Sequence, residues 1–416
     1  MHERNWAGTH RYRARALHRP RTVDELRVVL ARAPRVRVLG SRHSFTDLPD
    51  SDELVSLDAL PPDIAVDHAA GTVSFGAALR YGELAAALNA EGLALHNLAS
   101  LPHISVAGAV ATATHGSGDR NGNLATAVAG LEMVTSDGDL VTAARGDADF
   151  DGMVVGLGAL GAVTRVTLDV EPAYEVRQRV FEDLSWEALR ANFDAIMTTG
   201  HSVSVFTRWA QTAGQVWVKS RVGNGLQDAP AALFGARAAT VERHPILGLD
   251  PVNCTPQLGR PGAWSDRLPH FRMGFTPSTG EEIQSEYLLP RRHAAPAIEA
   301  VRALAGSFVP VLLVSEIRTV AADALWLSPQ HGRDTVALHF TWRREPDAVS
   351  AATRRLEDAL RPFAARPHWG KALHARAADI APLYERLGDF VALRDRLDPR
   401  GALRNDWLER HVLGGR

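Results

Sequence analysis

The chain has 416 residues, 45% of them hydrophobic and 23% charged, with a formal net charge of −2. That balance is ordinary for a soluble globular protein and supplies no global field that would recruit nucleic acid or an anionic membrane. The one cysteine, Cys254, rules out an internal disulfide framework and a multi-cysteine metal centre, and it fits a reducing cytoplasm, the expected location.

At roughly 100–200 residues per domain, the length predicts two to three domains, or two large ones. The N-terminus, MHERNWAGTHRYRARAL, lacks the apolar run of a signal peptide. No apolar stretch reaches the ~18 residues of a membrane span. The first strand signal is RVRVLG, which stops at Gly40 and gives way to a polar loop, GSRHS, around a lone histidine, His43. A histidine after a strand is more often a surface or structural residue than a functional one, so this loop alone decides nothing. ELVSLDAL and TVSFGAAL read as two further strands. YGELAAALNAEG has helical spacing, with Gly92 placed to terminate it.

The next segment, NLASLPHISVAGAVATATHGSG, is rich in small residues and carries His115 near its end. Small residues let backbone approach a ligand closely, and clustered amides suit a pyrophosphate. A tightly packed helix entry would look the same. GLEMVTSDGDLVTA predicts a hairpin turning at Asp137-Gly138. GLGALG, from Gly156 to Gly161, fits the G-x-G-x-x-G spacing of dinucleotide binding, but a strand-like AVTRVTLDV follows where a Rossmann unit needs a helix. Residues 1–170 therefore read as a mixed α/β domain.

Past Pro172 the texture changes. VSVFTRWA and QVWVKSRV predict a hairpin around Gly214, VPVLLVSEIRTV and DTVALHFTWRR predict long strands, and DAVSAATRRLEDALRPF predicts a helix. Residues 171–376 thus form a second domain, an antiparallel sheet covered by helices, with the tail 377–416 packing back on the first domain. Side chains alternate across a strand, so Glu316 shares a face with Arg318, and His339 with Thr341, while Phe340 and Trp342 point to the core. If the strands lie close, they present an acid, a cation, a base and a hydroxyl together. A solvated sheet face is the bland alternative. RPHWGKALH adds His368 and Lys371, which an exposed turn would also explain. The 17 histidines are scattered without metal-ligand spacing, and no metal is expected.

Eight stretches in order carry a resemblance: NWAG, GSRHSF, LPHISVAGAVATATHGSG, GLGALGAVTRVTL, SEIRTV, HFTW, RPHWGK and DPRGALRNDWL. With them the chain resembles the FAD-dependent sugar-alcohol and aldonolactone oxidases of the vanillyl-alcohol-oxidase fold, and among these the bacterial alditol (xylitol) oxidases. The resemblance covers essentially the whole chain. It implies a two-domain α+β fold of the vanillyl-alcohol-oxidase (PCMH) type, with residues 1–170 and the tail binding FAD and 171–376 forming the substrate cap. It implies that Val38, Leu39, Gly40, Ser41, Arg42, His43 and Ser44 contact FAD, with His43 bonded covalently to the flavin 8α-methyl carbon. Ser100, Ser105, Gly108, Thr112, Ala113, Thr114, His115, Val163 and His368 would also line the cofactor.

The same resemblance places substrate on Ser100, Glu316, Arg318, His339, Thr341 and Lys371. The implied reaction oxidises the terminal primary alcohol of a polyol such as xylitol or sorbitol, passing a hydride to FAD and then electrons to oxygen, with hydrogen peroxide as product. Arg318 and Lys371 would stabilise the developing alkoxide, and His339 would act as general base. Glu316 would either tune His339 or orient Arg318, and Ser100 and Thr341 would hydrogen-bond the remaining hydroxyls. An aldonolactone oxidase or dehydrogenase of the gulono- or galactono-1,4-lactone type is the alternative activity. The expected partners are the polyol and oxygen, with no nucleic acid and no membrane; a monomer is compatible, and the oligomeric state is not legible.

Overall fold

A computed structural model describes residues 3–223, 231–274 and 282–414. Near the N-terminus, β1 (Ala16–His18), β2 (Val36–Leu39) and β3 (Glu53–Ser56) form a parallel sheet with β3 in the centre. The helix α1 (Val23–Arg32) supplies the crossover between β1 and β2. Thr22 caps it by accepting from the Glu25 amide, and Asp24 and Glu25 add favourable charge to its first turn. Its buried Leu26 and Leu30 pack with Val36, Val55, Val134 and Ala162.

Beside this unit lies a five-stranded antiparallel sheet. Its strands are β4 (Ala65–Asp67), β5 (Thr72–Gly76), β6 (Val128–Val134), β7 (Leu140–Ala144) and β8 (Ala162–Asp169), in the spatial order β4-β5-β8-β6-β7. β6 and β7 are the expected hairpin, turned by Gly138 at φ +84°. The GLGALG segment runs directly into β8, so no helix follows it. The helix α2 (Tyr81–Ala90) ends before Gly92, whose φ of +67° is the left-handed conformation that stops a helix.

The remainder is built on a ten-stranded sheet. Its central strands are β9 (Glu175–Leu184), β10 (Ser202–Thr207), β11 (Gly214–Arg221), β12 (Glu282–Pro290), β13 (Leu312–Val320) and β14 (Thr335–Arg343). They lie in the order β9-β11-β10-β13-β14-β12, all antiparallel. The helices α3 (Ala294–Ala303) and α4 (Pro346–Leu360) cover one face. There Trp209, Phe308, Phe340 and Trp342 stack into an aromatic core, with Phe340 and Trp342 rings 5.2 Å apart and nearly parallel. Burial of that face leaves the other face free to line a cavity.

The C-terminal segment returns to the N-terminal unit. The Val36 amide donates to Ala402 O at 2.8 Å, the buried Arg37 donates to Leu403 O at 2.9 Å, and Asn405 donates to Leu48 O and Asp50 O at 2.9 Å. Trp407 and Leu408 join the core that also holds Phe75, Val110 and Trp369. Among the described residues no helix is long and apolar enough to cross a membrane.

Candidate active site

A cavity of about 440 Å³ runs between the N-terminal unit and the free face of the large sheet. One end is walled by 37–45, by the small-residue segment from Ala99 to His115, and by Gly156–Val163. The other end is walled by Glu282, Gln284, Glu286, Glu316, Arg318, His339, Thr341 and Lys371.

Two loops form the first end, and two serines fasten them together. The Ser105 amide donates to Ser41 Oγ at 2.9 Å, and the Ser41 amide donates to Ser105 Oγ at 3.3 Å. Gly40 and Gly108 flank this clasp: a Cβ at either would sit 2.8 Å from Ser105 Oγ and would push that hydroxyl out of the clasp. The turn itself is made by Arg42, at φ +65°, and not by Gly40, which precedes it. An ion pair from Arg42 to Glu3 at 3.0 Å holds that strained residue. The result is a rigid platform for His43, whose Nδ1 lies 3.1 Å from Ser41 Oγ and whose ring stacks on Trp6 at 5.2 Å. Among the described residues, His43 Nε2 is buried without a partner. Burial lowers the His43 pKa to about 4, so the ring is neutral at pH 7 and keeps a nitrogen lone pair. An orphaned imidazole on a rigid loop, facing a cavity lined by glycine, serine and threonine, fits a flavin dinucleotide.

At the other end, strand register assembles the chemistry. His339 on β14 lies directly opposite Glu316 on β13 and opposite Glu286 on β12. Thr341 lies opposite Gln284 one step along the same face. Glu286 is the hub. Arg318 donates to its Oε1 at 2.6 Å, Lys371 donates to its Oε2 at 2.5 Å, and His115 Nε2 stands 3.2 Å from Oε1. Lys371 also donates to His339 Nδ1 at 2.7 Å. With that nitrogen accepting, the His339 proton sits on Nε2 and is donated to Thr341 Oγ1, 3.1 Å away. Glu316 accepts from His270 Nε2 at 2.9 Å and stands 3.6 Å from Arg318 Nε.

Charge balance keeps the two carboxylates ionised in a buried place. Burial pushes the Glu286 carboxyl up, but Lys371, Arg318 and His115 outweigh it and hold it well below the usual range. Burial also opposes the Glu316 carboxylate, and Arg318, His270 and His339 overcome it. Burial, then the neighbouring Lys371, lowers His339 to about 4. Lys371 itself is lowered by burial, which Glu286 partly offsets.

The structure brings to this cavity every residue singled out from sequence except Ala113, which lies behind its wall with a left-handed backbone at φ +51°. RPHWGK is no exposed turn: His368 is buried, and the turn aims Lys371 at Glu286. Glu286 was missed, although Glu282, Gln284 and Glu286 alternate along β12 with the same period of two that marks β13 and β14. His270 and Lys219 gave no local signal. His115, Glu286 and His368 bring three metal-type ligand atoms within 4.8 Å of one another. Both Glu286 oxygens are already engaged by cations, which oppose a metal ion there.

Comparison with known proteins agrees with this architecture. An FAD binding domain model matches residues 14–144, and a D-arabinono-1,4-lactone oxidase model matches residues 277–411. A mutant cholesterol oxidase from Brevibacterium sterolicum superposes with a TM-score of 0.78 at 16% identity, covering 99% of this chain and 96% of that one. Fold and cofactor domain therefore define an FAD-dependent oxidoreductase of the vanillyl-alcohol-oxidase fold. The chain is 50% identical over 416 residues to the alditol oxidase of a Streptomyces species, covering 99% of both. It is 29% identical to an L-gulono-1,4-lactone dehydrogenase from Mycobacterium tuberculosis, covering 99% of this chain and 98% of that one. The chain belongs to the FAD-dependent alditol oxidase family.

Proposed function

We propose that this enzyme oxidises the terminal primary alcohol of an acyclic polyol, of the xylitol or sorbitol class, to the aldose. The observation that carries the reading is the buried row Glu286–His339–Glu316, flanked by Arg318 and Lys371, on the cavity wall facing the cofactor loops. When bound, FAD supplies the hydride acceptor and returns electrons to oxygen, giving hydrogen peroxide.

The protein's share is positioning and proton handling. An alcohol holds its proton far above pH 7, so the alkoxide that develops must be stabilised in place. Arg318 and Lys371, both anchored on Glu286, are preorganised cations for that charge. The lone pair of His339 is on Nδ1, so the hydroxyl proton goes there, while Lys371 turns the N–H it donates to Nδ1 toward the alkoxide oxygen. The imidazolium so formed lies 3.6 Å from Glu286, which compensates it. Glu316 orients Arg318 and accepts from a polyol hydroxyl, and Ser100 and Thr341 bond further hydroxyls. An uncharged substrate is selected by such bonds, because analogues lacking a hydroxyl leave buried groups unpaired.

In this reading His43 would hold the flavin covalently through its 8α-methyl carbon, its neutral imidazole supplying the ring nitrogen; the methyl C–H and the imidazole N–H would be given up and oxygen would take the two electrons. Residues 1–170 with 377–416 form the flavin unit and 171–376 the substrate unit. The single, buried Cys254 fits a cytoplasmic enzyme.

Anaerobic mixing of the flavoenzyme with xylitol, sorbitol or galactono-1,4-lactone tests the reading. Bleaching of the flavin by the polyols, followed by peroxide formation on admitting oxygen, supports it. Bleaching by the lactone alone would transfer the enzyme to the lactone oxidases, the alternative that the match over residues 277–411 favours.

A further inference from the structure

Behind Glu316 lies a buried lysine that the reaction above does not use. Lys219, on β11, is 1% exposed, and among the described residues it has no carboxylate within ion-pair distance. An ammonium is expensive to bury unless every N–H is used. Here all three are: Nζ donates to Leu268 O, to Pro269 O at 3.1 Å and to His270 Nδ1 at 3.0 Å. An apolar side chain of that length would fill the space without the desolvation cost, so the charge serves something beyond packing.

The hydrogen bonds say what it serves. An ammonium can only donate, so His270 Nδ1 must accept, and the single ring proton is forced to Nε2. That nitrogen is the one 2.9 Å from Glu316 Oε1. The opposite tautomer would aim a lone pair at a carboxylate. The ring cannot escape by flipping, because Phe206 and Trp217 pack edge-on against it at 5.2 and 5.5 Å. The His270 amide also donates to Ser100 O at 3.1 Å, tying the same residue to the cofactor side of the cavity.

We propose that Lys219 and His270 are positioning residues: the buried ammonium locks the His270 tautomer, so that Nε2–H is donated to Glu316 and fixes that carboxylate for a substrate hydroxyl. The part concerning substrate rests on the reading of Glu316 as a polyol-binding group. One Glu316 oxygen is thereby taken, and Oε2 is left between Arg318 and the cavity.

The lock is sensitive to pH. Burial is the first cause that brings Lys219 down to about 7, Glu316 opposing it. The groups facing Lys219 are His270, Glu316, Cys254 and Arg318, and those facing Glu316 are Arg318, His270 and His339. Above this value the neutral amine keeps two N–H groups for the Leu268 and Pro269 carbonyls and no longer compels His270 Nδ1 to accept, so the tautomer preference weakens.

Two measurements on the flavin-loaded enzyme test this. The first is independent of activity: ¹⁵N-histidine NMR, with the His270 signals assigned by their loss in His270→Gln. The proposal requires the neutral Nε2–H tautomer with an unprotonated Nδ1 in the native enzyme, and protonation of Nδ1 in Lys219→Met, where it loses its donor and its cationic neighbour; an Nδ1–H tautomer in the native enzyme, or no change in Lys219→Met, overturns it. The second is steady-state kinetics with xylitol. Lys219→Met and His270→Leu should each raise KM about tenfold with a smaller change in kcat, as expected for a misoriented binding group. His270→Gln keeps an acceptor for Lys219 and a donor for Glu316, so it should restore most of the affinity. Equal losses in His270→Gln and His270→Leu would overturn the proposal. The correct tautomer in an enzyme that ignores polyols would sink the substrate assignment and leave the lock standing.

Discussion

Replacing Glu286 with Leu removes the one carboxylate that Arg318 and Lys371 share. Both cations remain, buried, with their shortest contacts gone: 2.6 Å from Arg318 and 2.5 Å from Lys371. Breaking a buried pair by deleting one partner costs about 3–5 kcal/mol, because an uncompensated charge is left behind. Glu316 still neutralises Arg318 in part, 3.6 Å away, so the loss falls mainly on Lys371 and His339. At roughly 2 °C per kcal/mol for a large domain, the thermal midpoint of the flavin-loaded enzyme should fall by roughly 6–10 °C. Catalysis should suffer beyond the stability loss. Without Glu286 the His339 imidazolium is uncompensated and Lys371 has no anchor, so kcat should fall more steeply than KM rises. Glu286→Gln separates charge from shape, keeping one acceptor and the volume; it should rescue part of the midpoint and little of kcat. Differential scanning calorimetry and anaerobic flavin reduction read the two effects. A Glu286→Leu enzyme with an unchanged midpoint and unchanged kcat/KM would refute the hub assignment.

Other changes probe separate parts. Acid precipitation of the native enzyme should leave the yellow colour in the pellet, and His43→Ala should move it to the supernatant; colour retained in the His43→Ala pellet would place the link elsewhere. Arg318→Ala should keep the bound-flavin spectrum but slow reduction by xylitol about 10²–10³-fold, the usual loss for one preorganised donor; a normal reduction rate would remove Arg318 from the mechanism. Glu357, in the last turn of α4, accepts from the His374 amide at 2.8 Å, and burial raises its pKa to about 7. The folded state therefore binds this proton more tightly than the unfolded chain, and the stability it contributes is present below about pH 4.5 and lost as pH rises through about 7. Glu357→Gln should consequently be more stable than the parent by about 1–3 kcal/mol at pH 8 and nearly equal to it at pH 4.5, measured by denaturant unfolding; a constant difference between the two pH values would contradict this.

Local chemistry determines much of this protein. Period-two alternation placed Glu316 with Arg318 and His339 with Thr341, because a strand has only two faces and Phe340 and Trp342 had to be buried on one. The small residues around Ser41, Ser105 and Gly108 marked the loops where backbone approaches closely, and the strand after Gly161 excluded a Rossmann unit. Tertiary structure decided the rest, since it depends on register and on contacts far apart in the chain. Nothing local to GSRHS says that Ser41 meets Ser105, that Glu3 holds Arg42, or that Trp6 stacks on His43. Only the alignment of three strands sets Glu286, His339 and Glu316 side by side, and a slip of one residue would turn His339 into the core. Lys219 reads as one more charged residue in QVWVKSRV; its three donors find Leu268, Pro269 and His270 because a loop about fifty residues later folds over the strand. Residue types and their spacing are written along the chain, whereas the partner of a buried charge is fixed by packing.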